Sequence, residues 1–299
     1  MLDPVKVYFT KDISPEGLIR VYEALGRTLP GKVGVKISTG EPGGHNYLKP
    51  ELIGALVRKL DGTIVENCTA YGGLRQNIQD HWQCVKDHGF TAIAPVDILD
   101  EEGEFSIPTR AGSRHLTEDV VGSHTERYDS ILMLSHFKGH LMGGFGGALK
   151  NMSIGMASTK GKLNIHAAGA ENLDQEYVWS HLPPQDDFLE SMAEACSAVI
   201  DYYDQRGGIL YVNVINNLSI DCDCDSDPEA PCMADIGIVA SVDPVAADRA
   251  ALDLIYKSAD PGREHFLERV ETRHGAHTIE HAVTLGLGTT FYEFVDIDR

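Results

Sequence analysis

Apolar and polar positions alternate along the chain between short apolar runs and longer stretches in which apolar residues return every three or four positions. The runs VKVYF (5–9), KVGVKIS (32–38), TIVEN (63–67), TAIAPVD (91–97), SILMLSHF (130–137), GILYVNVINNLS (208–219), IGIVASV (236–242) and TTFYEFVDI (289–297) predict strands. The stretches between them carry helix-start signals. Ser14-Pro15, Pro50 and Asp243-Pro244 each place a proline where only the first helical turn tolerates it. The longest helix is expected over DFLESMAEACSAVIDYYDQRGG, stopping at Gly207-Gly208.

Strands alternating with helices predict an α/β fold with a mainly parallel or mixed sheet and flanking helices. Three irregular stretches interrupt the alternation, at 38–48, 101–125 and 221–235. Long loops inside such a chain are more often functional than idle. No repeat or flexible linker is present, so two closely joined lobes are expected, 1–125 and 126–299, with one compact unit as the alternative.

Composition narrows the partners. The 299 residues carry a formal charge of −20, and a field of that sign repels nucleic acid and anionic lipid. No apolar run has the length of a membrane span, and MLDPVKVYFT lacks the zones of a signal peptide, so a cytoplasmic location is expected. Six cysteines are too sparse for a disulfide framework. The oligomeric state is not fixed by this pattern, and a dimer is compatible with it.

Candidate chemistry concentrates in residues 135–167, SHFKGHLMGGFGGALKNMSIGMASTKGKLNIHA, directly after an apolar strand, where ligands of α/β sheets sit. Gly143, Gly144, Gly146 and Gly147 remove side chains from a turn, which lets backbone N–H groups approach an anion or a flat cofactor. The stretch matches neither the phosphate loop ending in Gly-Lys-Ser/Thr nor the dinucleotide fingerprint, whose last glycine is Leu149 here. His136 and His140 stand four apart, but Gly139 and the preceding strand argue against a helix.

Around this loop the spacing of His140, Lys150 and His166 resembles the central motif of the nickel-dependent lactate racemases. The resemblance implies His140 as acid/base, Lys150 as tether of a nickel-pincer nucleotide and His166 as metal ligand. Where that family has its first catalytic histidine, this chain reads CTAYGGLR (68–75), so Tyr71 or Arg75 takes the place of the missing donor. Over nearly its whole length the chain resembles the domain-of-unknown-function family 362. The resemblance is carried by VGVKISTGEPG (33–43), ENCTAYGGLRQN (66–77), DHGFTAI (87–93), SHFKGHLMGGFGGALKN (135–151) and ASVDPVAADRA (240–250). Some members carry an inserted module with repeated Cys-x-x-Cys. This chain has only Cys196 between His166 and Cys222, so no four-iron cluster is expected.

A second constellation is Cys222 and Cys224 with Cys232 and several aspartates nearby. Thiolates suit zinc, iron or nickel, and aspartates beside them disfavour free thiolates unless a cation is bound. Lys36 and Glu41 frame the loop STGEPGG, as contacts for a substrate carboxylate or as a salt bridge. His277 and His281 are expected on a solvated helix face, and no Gly-x-Ser-x-Gly elbow accompanies the Ser-His pairs.

The sequence therefore predicts an isomerase or oxidoreductase using a transition metal (nickel, iron or zinc), in nucleotide-linked form by the racemase resemblance, on a small carboxylated molecule. Its site comprises His140, His136, Tyr71 and Arg75 as catalytic groups. Lys150, Lys36, Gly144, Gly146 and Gly147 form a cofactor cradle, and His166, Cys222 and Cys224 hold the metal. The alternative is a non-catalytic metal-binding or metal-delivery protein built on Cys222, Cys224 and a histidine.

Overall fold

A computed structural model describes residues 3–299. In chain order the first elements are β1 (Val5–Thr10), α1 (Pro15–Ala24), β2 (Val33–Lys36), α2 (Pro50–Lys59), β3 (Thr63–Glu66), α3 (Ile78–Asp87) and β4 (Val96–Ile98). A hairpin, β5 (Glu104–Pro108) with β6 (Glu118–Gly122), precedes β7 (Ser130–His136). A second hairpin, β8 (Lys138–His140) with β9 (Gly144–Gly146), leads into α4 (Ala148–Met152), α5 (Thr159–His166), α6 (Gln175–Ser180) and α7 (Gln185–Asp204). The remainder is β10 (Ile209–Ile215), β11 (Gly237–Ser241), α8 (Pro244–Tyr256), α9 (Arg263–Thr272), α10 (His277–Thr284) and β12 (Tyr292–Asp296).

Eight strands form one mixed sheet in the order β12-β1-β11-β10-β7-β2-β3-β4. The five from β10 to β4 are mutually parallel, while β11 runs antiparallel to both β10 and β1. Strands from either side of residue 126 share this sheet, and β1 lies between β11 and β12, so position 126 does not separate two sheets. No helix is long and apolar enough to cross a membrane among the described residues.

The apolar runs are nearly continuous because both sheet faces are covered. Ile131 and Met133 of β7 join one core with α4, α7 and α8, whereas Leu132 and Leu134 join the other with α1 and α2. Successive strand side chains point to opposite faces, so one strand feeds both layers. The expected helix starts hold: the Ser14 side chain accepts from the Gly17 N–H, and Asp243 accepts from Ala246 N–H.

Some expected boundaries shift for local reasons. Residues 90–92 form a 3-10 turn after Gly89, which sits at φ +84°, and the strand begins only after Pro95. The strand expected over 208–219 leaves the ladder at Ile215, and Asn217 then adopts a positive φ of 45°.

Parallel strands bring their C-terminal ends to one edge of the sheet. β2 ends on Lys36, β3 on Glu66 and β7 on His136. β3 and β4 follow β2 outward on one side, while β7 and β10 lie on the other. The crevice between β2 and β7 is the switch point where ligands of open α/β sheets bind.

Candidate functional site

At this switch point a cleft of about 810 Å³ opens, in the range of small-molecule and cofactor sites. It is lined by His140, Lys150 and His166, and also by Lys36, Tyr71, Arg75, His136, Gly146, Gly147, Cys222 and Cys224. Gly144 stands apart from these lining residues.

One wall is a closed network of charges. Arg75, 2% exposed, donates from Nε to Glu41 Oε2 (2.9 Å) and from Nη1 to Glu66 Oε1 (3.2 Å). Its Nη2 reaches the Tyr71 hydroxyl (3.0 Å), which itself donates to Glu41 Oε2 (3.0 Å). Lys36 pairs with Glu66 and donates to the Ile37 carbonyl (2.6 Å) and to Asn151 Oδ1 (3.2 Å). Burial pushes the Tyr71 phenol up and the Lys36 amine down, the latter opposed by Glu66. Lys36 thus answers Glu66, and Glu41 answers Arg75.

His136, expected among the catalytic groups, is engaged at both ring nitrogens. Nδ1 lies 2.8 Å from Asp223 Oδ1 and Nε2 lies 2.7 Å from the Asn216 carbonyl. Asp223 Oδ2 takes Lys138 Nζ at 2.8 Å. Burial alone would raise the Asp223 carboxyl, but His136 and Lys138 outweigh it and hold the group below the carboxylate range. With both nitrogens spent inside the protein, His136 positions Asp223, not a substrate.

The opposite wall is different. Lys150 is part-buried, and no hydrogen bond or ion pair among the described residues involves its Nζ. Burial, with nearby Lys138, brings its pKa down to about 7, so a large share of the amine is neutral at neutral pH. His166 Nδ1 lies 2.6 Å from the Lys162 carbonyl, which can only accept, so the ring proton sits there and Nε2 keeps its lone pair. Burial lowers this histidine to about 4, against the pull of that carbonyl. The ring packs between Trp179 and Phe188, with centroids 4.9 and 5.0 Å away.

His140 has the opposite tautomer. Its Nδ1 accepts from the Gly143 N–H (2.8 Å) and the Met142 N–H (3.3 Å), which leaves the proton of the neutral ring on Nε2. Burial and the Lys150 charge hold it well below the ordinary histidine range. Of the acid/base pair of roles expected from the motif, this tautomer offers the cleft the donor, as an acid or electrophile would.

The glycine segment is not the anion cradle its composition suggests. The Ala148 and Leu149 N–H groups at the start of α4 donate to Asp248 Oδ1 (2.7 Å) and Oδ2 (3.0 Å). A Cβ on Gly147 would stand 2.4 Å from Asp248 Oδ1, so this glycine admits the carboxylate. Gly144, at φ +77°, packs its α-carbon face against Gly275, where a Cβ would meet Gly275 Cα at 2.9 Å. Both positions serve packing. Only Gly146 and Gly147 reach the cleft lining.

Cys222 and Cys224 are joined in a disulfide, a correction to the expected pair of thiolate ligands. Oxidised sulfur is a poor metal ligand, so this constellation fits an ion only after reduction. One ligand atom of each lies within 4.8 Å of a ring nitrogen of His140. The expected His166 ligand is not part of that group.

Sequence reasoning passed over Glu66, Lys138 and Lys162, and took Asp223 only as one of the aspartates beside Cys222 and Cys224. Lys162 lines the cleft, donates to the Ala157 carbonyl (2.5 Å) and is lowered to about 8 by burial. Lys138 is two residues beyond His136 and shares its carboxylate, a signal present in the strand alternation. The inner cleft places Lys36, Arg75, Lys138, Lys150 and Lys162 beside Glu41, Glu66, Asp221 and Asp225, and Lys138 is paired with Asp223. Among these cations Lys150 alone has no hydrogen bond or ion pair within the described residues, so an anionic group of a ligand would answer it.

The chain matches the model of the family described as Domain of unknown function (DUF362) over residues 33–253, and it belongs to that family. No curated protein matches it. Among solved structures, the lactate racemase apoprotein from Thermoanaerobacterium thermosaccharolyticum is similar at 13% identity and a TM-score of 0.45, covering 85% of this chain. A protein from Thermotoga maritima is similar at 16% identity and a TM-score of 0.37, covering 90%. This chain spans 58% of the length of each.

Proposed function

We propose that the chain is an enzyme, an isomerase or oxidoreductase, whose cleft holds a nickel-pincer-like or other metal-bearing cofactor and acts on a small carboxylated molecule. The observation that carries this reading is Lys150, an amine with a pKa of about 7 that faces the cleft without a partner. A part-buried amine with a lowered pKa and no protein partner is suited to receive a covalent or ionic partner.

The donor set fits such a group in part. Lys150 would tether or neutralise it, and His166 would offer the Nε2 lone pair to a metal. The disulfide of Cys222 and Cys224 does not fit a metal until reduced. When bound, the cofactor would supply an electron-pair acceptor for a carbon–hydrogen bond of the substrate. The cationic lining would hold the substrate carboxylate, and His140 Nε2–H would donate to an oxygen on the reacting carbon. Tyr71 and Arg75 would fix Glu41 and Glu66 and shape the wall.

The test is intact-mass and elemental analysis of chain purified without metal-chelating resin, beside Lys150→Arg. An adduct or bound metal in the wild type that is lost in Lys150→Arg supports the reading. Unmodified, metal-free protein in both, after co-expression with a pincer-synthesis system, overturns it.

A second reading has its own observation, the approach of His140, Cys222 and Cys224 to within 4.8 Å. It makes the chain a metal-binding or metal-delivery protein that loads on reduction. Metal uptake that requires dithiothreitol, fails in Cys222→Ser and is indifferent to Lys150→Arg would favour it.

A further inference from the structure

Outside the cleft, three histidines converge on two glutamates of one helix. Glu190 and Glu194 stand four apart on α7, and His277 and His281 stand four apart on α10, so each pair occupies one helix face. His115 enters from the loop joining β5 to β6. None of the five lines the cleft.

The distances are short. His115 Nε2 lies 3.0 Å from Glu190 Oε2, and His277 Nε2 lies 3.1 Å from Glu190 Oε1. His281 Nδ1 is 3.9 Å from Glu190 Oε1, and His281 Nε2 is 3.4 Å from Glu194 Oε1. Ligand atoms around one tetrahedral zinc stand roughly 3.4 Å apart, given bonds of about 2.1 Å. Glu194 is fully buried and already fixed by backbone N–H groups of Arg114 (2.6 Å), His115 (3.0 Å) and Leu116 (2.7 Å).

A hydrogen-bonded cluster leaves one atom unexplained. His281 is 5% exposed, and its buried Nε2 has only the Glu194 carboxylate at 3.4 Å, without the geometry of a hydrogen bond. A buried ring nitrogen aimed into a group of carboxylates and imidazoles is what a metal ion would satisfy. The competing cation, Arg114, reaches Glu190 at 3.4 Å from a side chain 69% exposed, so it can leave without disturbing the core.

We propose that His115, Glu190 and Glu194, whose ligand atoms lie within 4.8 Å of one another, form the core of a zinc-class metal site, completed by His277 and His281, which face Glu190 and Glu194. Histidine and carboxylate without thiolate select zinc or a similar borderline divalent ion. A set of four or five protein ligands is closed, which makes the ion structural. It pins α10 to α7 behind the β8–β9 hairpin, because Gly275, just before α10, packs on Gly144, and Gln185 of α7 donates to the Met142 and Arg273 carbonyls.

The test uses the full chain, made without a metal-affinity tag, stripped with chelator and titrated with zinc(II) or cobalt(II). The variants are His277→Gln, Glu190→Gln and, for the cleft, Cys222→Ser. His277 has a side chain only 20% exposed, so circular dichroism checks its fold and Glu190→Gln gives an independent second arm. Expected are one ion per chain in the wild type and in Cys222→Ser, and binding roughly a hundredfold weaker in the two cluster variants. The cobalt spectrum should lack a thiolate charge-transfer band. The proposal is overturned by a wild type that binds no ion, by affinity unchanged in both cluster variants, or by a thiolate band that disappears in Cys222→Ser.

Discussion

Both walls of the cleft carry lysine and histidine and treat them in opposite ways. On the wall of Arg75, Lys36, Glu41, Glu66, His136 and Asp223, each charged group meets a partner inside the protein. On the wall of Lys150, His140 and His166, an amine and two ring nitrogens are left facing the cavity. The contrast separates scaffold from chemistry. Satisfied networks rigidify, whereas an unanswered polar group is a standing cost that selection removes unless a ligand repays it.

The largest effect should come from the open wall. Lys150→Met is expected to reduce retention of an anionic or covalent ligand by roughly a thousandfold, read by mass spectrometry and isothermal titration. The same variant should lose no stability. The folded-state pKa of Lys150 is depressed, so its charged form is disfavoured by folding, and stability falls as pH drops from about 10 towards 7. The melting temperature of Lys150→Met relative to wild type should therefore be more favourable at pH 6 than at pH 10. A large loss of stability would move Lys150 to the closed wall.

Next comes Arg75→Met, which strands Glu41 in the interior, leaves Glu66 to Lys36 alone and should cost about 3–5 kcal/mol in denaturant unfolding. A cost under about 1 kcal/mol would show that the closed wall is not structural. Competitive acylation should then single out Lys150 among the lysines, with a rate that rises through a midpoint near pH 7. A midpoint near 10 would give it a hidden partner.

The smallest effect concerns Asp119, which lies on neither wall. It is 1% exposed, has no partner for either oxygen, and is pushed up to about 7 by burial. A raised carboxyl favours the folded state when protonated, so its contribution is present below about pH 4 and lost as pH rises towards 7. Asp119→Asn should flatten that slope and stabilise the chain by about 1–2 kcal/mol at pH 8. An unchanged slope would assign the pH dependence to other groups, among them Asp248, raised to about 6.

Strand and helix positions were legible where one residue's chemistry decides them, as with proline at Pro15, Pro50 and Pro244 or the apolar run of β7. The gathering of His140, Lys150 and His166 around one cavity follows their motif spacing. What could not be read were pairings between distant segments. Nothing near Gly147 signals that Asp248 will take the N–H groups of Ala148 and Leu149, and nothing near His136 signals Asn216 and Asp223. The β8–β9 hairpin was hidden by its glycines, whose requirement comes from Gly275 and Asp248. His281 looked solvated because its helix is polar, yet α7 covers it.

The position of β1 has a temporal consequence. Its register joins Val7 to Ser241 on one side and Val5 to Tyr292 on the other, so β1 leaves the ribosome well before both partners and must wait for β11 and then β12 before both edges are satisfied. Such distant pairing slows folding and leaves a bare apolar ribbon exposed during synthesis. For this chain, yield in a cell should depend on whatever shields that waiting strand.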